Sequence, residues 1–363
     1  MRPSIALLPV VILALACGTS AGTGGPASSA ATQPAPQAMA QPSAPPAWAY
    51  GFAAAAAPAP AGTPAAAGGA PPGGRGGGGG RGGAAPAPDT TKHTVAGSAR
   101  SFTLAQVRDT YGPADWFPGD HGEMPPIVAR GRREAMVLAC SLCHYPNGKG
   151  RPENAAVSGL PVPYFVQTML DFKNDARKSA DTRKANTNRM IAFAKVMTDD
   201  EIRAAAVYFG AIKWTPWLKV IEVDVVPKTR IAGGMFIAAT GADAGTEPIG
   251  QRIIEVPDNA EQTETYRNPR SGFTAYVPRG SVAKGEALAT KGQCALCHGP
   301  ALQGLGPVPG IAGRSPSYMV RQMYDMQRGV RKGTWSDLMQ KIVAPMSADD
   351  MISVAAYAAS RTP

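Results

Sequence analysis

Four of the five cysteines stand in two copies of one short pattern, Cys140-Ser-Leu-Cys143-His144 and Cys294-Ala-Leu-Cys297-His298. Two thiols three positions apart on one helical turn can add across the vinyl groups of a porphyrin. The histidine that follows at once can reach the iron from the proximal side. A thioredoxin-like redox pair would use CxxC alone and belongs near a βαβ pattern, which neither copy has. A zinc site or two local disulfides would leave the repeated adjacent histidine as a coincidence. The pattern therefore points to two covalently bound haem c groups, held at Cys140, Cys143 and His144 and at Cys294, Cys297 and His298.

The second motif begins 154 residues after the first, and that offset pairs much else: Gly131 with Gly285, Gly150 with Gly304, Gly159 with Gly313, Tyr164 with Tyr318, Met169 with Met323, Asp171 with Asp325 and Arg177 with Arg331. Further on the offset falls to 149 and pairs Met190 with Met339, Met197 with Met346 and Tyr208 with Tyr357. A repeat of this length that carries a complete site in each copy is a duplicated domain.

The elements that must position the motifs read as helices. Pro126–Cys143 and Val282–Cys297 lead into the two motifs, and Pro163–Phe172 and Pro316–Gln327 follow them. Thr198-Asp-Asp-Glu201 and Ser347-Ala-Asp-Asp350 resemble capping boxes, each ahead of apolar residues at helical spacing, and open final helices that reach Tyr208 and Tyr357. The fold class expected is mainly α, with two domains at 101–213 and 280–363. Between them 214–279 is unlike either copy. Leu218–Val226 and Gln251–Val256 alternate and are β-branched, so this segment is expected to form a small hairpin or two and to strap across both domains.

Each copy resembles a class I cytochrome c domain, and the pair resembles the tandem dihaem c-type cytochromes of bacterial respiratory chains. The resemblance covers about 101–213 and 280–361. It implies a first helix crossing the last, with Gly131 against Tyr208 and Gly285 against Tyr357. It implies single-electron transfer through low-spin His/Met haems, with redox partner proteins such as a dehydrogenase or quinol-oxidising complex and a terminal oxidase. The axial ligands it implies are His144 and Met190 for one iron and His298 and Met339 for the other. A thioether sulfur is soft and favours ferrous iron. Met197 and Met346, directly before the final N-caps, are the rival sulfurs. Ligation by two histidines at both irons would need His93 and His121, neither of which the repeat pairs. Pro307-Val-Pro309-Gly310 resembles the family segment whose proline carbonyl accepts the free N–H of the proximal imidazole. That residue would be Pro309, and the first copy has Ala155 at the same offset. Arg177, Arg331 and Arg314 are candidates to pair haem propionates.

Residues 1–17 hold one basic residue and then an apolar run too short to span a bilayer, the pattern of a signal peptide. Leu13-Ala-Leu-Ala-Cys17 is similar to a lipoprotein cleavage box, so both a lipidated Cys17 and plain cleavage after Ala16 or Ala21 remain open. Residues 18–100, dominated by Ala, Pro and Gly up to about Thr91, are expected to be a disordered tether. These features place the protein in the periplasm, free or anchored. The formal net charge of +10 is scattered through the chain without an aromatic-interleaved basic motif, which argues against nucleic acid. A basic face for an acidic redox partner and a merely solvated surface are the two readings left. An alternative function is a dihaem redox enzyme, peroxidase-like or a sulfur-compound oxidase, with one substrate-accessible haem, for which His121 is the residue of interest.

Overall fold

The structure, a computed structural model, describes residues 44–53 and 90–363. All of them belong to one compact unit, Ser43–Pro363. The signal segment, Cys17 and most of the expected tether lie outside the described residues.

In chain order the helices are α1 (Leu104–Val107), α2 (Pro126–Ala129), α3 (Cys140–His144), α4 (Val162–Lys173), α5 (Ala185–Val196), α6 (Asp199–Ala211), α7 (Ala260–Glu264), α8 (Ser281–Lys291), α9 (Cys294–His298), α10 (Pro316–Gln327), α11 (Ser336–Val343) and α12 (Ala348–Ser360). The described chain is mainly helical, with two helical modules and a β-containing segment between them. Both expected capping boxes are present: Thr198 accepts from the Glu201 backbone N–H ahead of α6, and Ser347 from that of Asp350 ahead of α12. Each closes two of the amide groups that a helix start leaves without partners. α5 and α11 were not expected from the sequence; α5 lacks a clear helical stripe, whereas Leu338, Met339, Ile342 and Val343 of α11 do stand at helical spacing.

The second copy is built around the α8–α12 crossing. A Cβ at Gly285 would overlap the Ser353 carbonyl and come within 2.8 Å of the Tyr357 Cβ, so only glycine permits this approach. The first copy departs from it. The expected helix Pro126–Cys143 is broken after α2, where Gly131 takes φ +63 and Arg132 pairs with Val137 in a short bridge. The tight turn, not Tyr208, fills the space beside Gly131, and a Cβ there would meet the chain at Val137 to Ala139. Gly131 is a poor residue for a helix interior, and next to it Arg132 turns away to reach Glu201 at 2.8 Å and the Val196 carbonyl at 2.6 Å. Tyr208 donates to the Pro146 carbonyl at 2.6 Å.

Despite that break, the two copies share unusual backbone. Tyr145 and Gly299, each just after its motif, both have positive φ (62 and 83), as do Asp175 and Gly329 (57 and 67). The copies then meet about a local pseudo-twofold. Lys178 N–H donates to Val330 O and Lys332 N–H to Ala176 O, both at 2.8 Å, each bond being the image of the other at the repeat offset.

The connecting segment holds the strands β1 (Leu218–Val223), β2 (Val225–Pro227), β3 (Thr229–Ala232), β4 (Met235–Ala238), β5 (Thr246–Pro248), β6 (Ile254–Pro257) and β7 (Phe273–Pro278). The two stretches expected to strand do so, but they do not pair with each other. β1 runs parallel to β7, Leu218 opposite Phe273, and β6 lies antiparallel on the far side of β7. Parallel pairing is open to β1 because the whole crossover 224–272 separates it from β7. β3 and β4 do form a hairpin, around Gly233-Gly234. From β6 the buried Glu255 accepts from Ser315 Oγ at 2.8 Å, from the Ser317 backbone N–H at 2.7 Å and from Ser317 Oγ, tying the segment to the start of α10.

Part of the expected tether is also ordered. Residues 47–50 form a 3₁₀ turn whose Tyr50 is fully buried and donates to Asp325 Oδ1 at 2.7 Å. The Ala49 carbonyl accepts from Arg321, and the Tyr50 carbonyl accepts from Lys184 Nζ at 3.0 Å. Trp48, Tyr50 and Phe52 are the aromatic residues of an otherwise small-residue stretch, and they give it enough apolar surface to hold the chain down. Residues 90–100 are tied down as well, His93 bridging Phe102 and Ser98 donating to the Trp116 carbonyl at 2.7 Å.

Candidate functional site

Each CxxCH lies on a single turn of helix, α3 or α9. Cys140 packs against the core of the first copy and Cys294 against that of the second. Cys140, Cys143 and Cys294 are half-buried and Cys297 is exposed; all four are free thiols. Burial, and then the neighbouring Cys143, push the Cys140 thiol up to about 12, and burial raises Cys143 and Cys294 as well, so these groups are neutral thiols.

His144 and His298 are held in the same way. Nδ1 of His144 lies 2.8 Å from the Ala155 carbonyl, and Nδ1 of His298 lies 2.8 Å from the Pro309 carbonyl. A carbonyl can only accept, so the proton sits on Nδ1 and the Nε2 lone pair is left bare. Nε2 of neither ring makes a hydrogen bond within the described residues. Burial pulls both imidazoles below the usual histidine value, against the opposing pull of the carbonyl bond. The carbonyl acts in the same way whether the residue is alanine or proline. In the second copy the loop is braced by a pair of two-residue strands, β8 (Gly304–Leu305) and β9 (Val308–Pro309), and Pro309 faces Gly304 in it.

Reduced thiol pairs at vinyl spacing beside a neutral imidazole with a free Nε2 are the donor set that a covalent haem requires, and both copies have it. The residues therefore fit two such groups.

Met190 lies on α5 and Met339 on α11; both are half-buried and pack on the core of their own copy. Met197 is buried in the first core, where its carbonyl accepts from Lys173 Nζ at 3.1 Å, and Met346 is half-buried with its carbonyl taken by Gln327. His121 has both ring nitrogens engaged, Nδ1 with the Gly122 carbonyl at 2.7 Å and Nε2 with Asp115 at 3.3 Å. His93 stacks obliquely on Tyr266, 5.4 Å between ring centres.

Arg177 and Arg331 meet where the copies join. Arg177 donates to Tyr318 Oη (2.9 Å) and Gln322 Oε1 (2.8 Å); Arg331 donates to the same Gln322 oxygen (2.9 Å) and to Tyr164 Oη (2.9 Å). Two guanidiniums thus share neutral acceptors, and neither is in an ion pair among the described residues. Against the effect of burial, they draw Tyr164 down to about 8. Arg314, the third candidate for a propionate, is buried. Its Nε, Nη1 and Nη2 are spent on the backbone carbonyls of Gly310, Ala156 and Ser158.

No family model matches the chain. A thiosulfate dehydrogenase electron acceptor from Stutzerimonas stutzeri is 24% identical over 237 residues, 64% of this chain and 84% of its own length. Cytochrome c-554(548) from Halomonas halodenitrificans is 35% identical over 71 residues, 19% of this chain and 86% of that protein. Among solved structures, a cytochrome c4 of Acidithiobacillus ferrooxidans aligns with 61% of this chain and 98% of its own, at 22% identity and a TM-score of 0.38. On the identity to the Halomonas protein across most of that protein's length, together with two complete CxxCH sites, the chain belongs to the c-type cytochromes, as a tandem dihaem electron carrier with two covalent haem c groups.

Proposed function

We propose that this cytochrome works in the periplasm, taking electrons one at a time from a dehydrogenase that oxidises a sulfur compound and passing them toward a terminal oxidase. The donor class follows the relative from Stutzerimonas, whose name makes it the electron acceptor of a thiosulfate dehydrogenase. Location in the periplasm and a lipid on Cys17 rest on the leader sequence; among the described residues no helix is long and apolar enough to cross a membrane.

The observation that carries the reading is the matched pair of 2.8 Å bonds from His144 to Ala155 and from His298 to Pro309. When bound, haem c supplies a one-electron iron couple. The chain's own residues do the rest. Cys140, Cys143, Cys294 and Cys297 fix the groups covalently. His144 and His298 give proximal nitrogens that the two carbonyls orient. Met190 and Met339 give the distal sulfurs, supported by their pairing in the repeat and their half-burial on the core side of α5 and α11. Arg177 and Arg331, charged and without carboxylate partners among the described residues, take the propionates. With a histidine and a methionine to hold it, each iron would need little rearrangement on electron transfer, which suits a carrier. The rival reading, an enzyme with a substrate-accessible haem, leaned on His121, whose ring nitrogens are both occupied.

The test is spectroscopic. Oxidised protein should show two low-spin sites and the weak near-infrared sulfur-to-iron band, and Met190→Ala or Met339→Ala should each remove about half of it. A high-spin site or carbon monoxide binding in the unmodified protein would overturn the carrier reading. Loss of half the band in Met197→Leu would move the ligand to Met197.

A further inference from the structure

The two histidine-binding loops are joined by one side chain. Arg314, 6% exposed, precedes α10 in the second copy. Its Nε donates to Gly310 O at 2.7 Å, its Nη1 to Ala156 O at 3.1 Å and its Nη2 to Ser158 O at 3.0 Å. Gly310 directly follows Pro309, whose carbonyl holds His298, and Ala156 directly follows Ala155, whose carbonyl holds His144. The guanidinium is therefore one residue away from both orienting carbonyls, across the boundary between the copies.

The surroundings make this cation unusual. Trp214 covers it, 4.7 Å from ring centre to guanidinium carbon, and donates its own N–H to Ala312 O at 3.0 Å. No carboxylate pairs with it among the described residues. Burial pulls it down to about 10, which still leaves it charged at neutral pH. The repeat has Leu160 at the matching place in the first copy, so the charge has no twin. A buried cation usually requires an ion pair, and this one is held instead by three carbonyl dipoles and the face of Trp214. In such a poorly solvated place its field is weakly screened. A nearby positive charge favours the less positive, reduced state of an iron.

We infer that Arg314 is a positioning residue shared by both haem sites: from one point it fixes the two loops that orient His144 and His298, and its unpaired charge holds both reduction potentials up. This rests on the reading of His144 and His298 as the proximal ligands.

The experiment compares Arg314→Gln and Arg314→Lys with the unmodified full-length holoprotein by potentiometric titration of each haem and by electron paramagnetic resonance of the oxidised form. Arg314→Gln should lower both potentials. Arg314→Lys keeps the charge but cannot span three carbonyls. It should leave the potentials near the original values and alter the low-spin g-values, which report imidazole orientation. Folded Arg314→Gln protein with unchanged potentials, or with only one potential shifted, overturns the inference. If Arg314→Gln does not fold, the lysine variant decides alone, and potentials that fall or g-values that stay put overturn it. The ligand reading fails separately, if His144→Ala or His298→Ala keeps the spectrum of two native low-spin sites.

Discussion

The same bond, imidazole Nδ1 to a backbone carbonyl at 2.8 Å, is made by an alanine in one copy and a proline in the other. The side chain at that position is therefore secondary to the path of the loop. Pro309→Ala should leave the second haem's potential close to its original value and lower stability by about 0.5–1 kcal/mol, through the freer unfolded chain. Potentiometry and urea titration of the one variant check both halves. A second residue-scale consequence concerns Lys184, 3% exposed, which burial and then Arg321 pull down to about 7. A lysine bound more weakly to its proton in the fold than in the unfolded chain makes stability rise with pH between about 7 and its ordinary value of 10.5, and contributes no slope below about 7. Lys184→Met should flatten the urea midpoint across that window, removing a rise of up to a few kcal/mol. A slope equal to that of the parent protein would locate the titrating group elsewhere.

At the scale of elements, legibility followed how local the determining interaction is. The capping boxes at Thr198 and Ser347 are closed within four residues, and those helices start where the sequence places them. α10 spans the expected Pro316–Gln327 for the same reason, with proline in its first turn and Ser315 as its cap. The partner of β1 was not legible, since pairing with β7 is decided by a crossover of about fifty residues rather than by its own alternation. Nor was the break after α2, because Gly131 and Gly285 look equivalent in the repeat while only one lies in a helix crossing. Both motifs were legible, being fixed by spacing; the carbonyl at Pro309 came only from the family resemblance, and its counterpart at Ala155 was not assigned, because the proline of that pattern is missing there. The side chain that links their loops was not legible, because two of its three acceptors, at Ala156 and Ser158, lie more than 150 residues away. Gly285→Ala makes the difference measurable. It must push α8 from α12 and should cost roughly 1–3 kcal/mol, with loss confined to the second copy. Hydrogen exchange would locate it; equal deprotection of both copies would contradict the local crossing.

On the scale of the whole molecule, the two copies are joined by several independent devices: the reciprocal strand bonds at Lys178 and Lys332, the Arg314 carbonyl cluster, the Glu255 anchor, and the turn at 47–50. The last comes from residues 44–53, ahead of both copies in the sequence. Its Tyr50 touches all the parts at once: the phenol bonds Asp325 of α10, its carbonyl takes Lys184 just before α5, and the following Gly51 abuts Gly234 of the β3–β4 hairpin. A fully buried tyrosine at such a junction stabilises the joint more than either copy. Tyr50→Ala should remove about 3–5 kcal/mol, the usual cost of truncating a buried aromatic, and Tyr50→Phe about 1 kcal/mol by leaving Asp325 one donor short. Because that loss falls between the copies, the calorimetric trace of Tyr50→Ala should separate into two transitions where the parent protein has one. A single transition, merely shifted to lower temperature, would mean that the turn stabilises the second copy alone and that the remaining bonds are enough to keep the two haem domains cooperative.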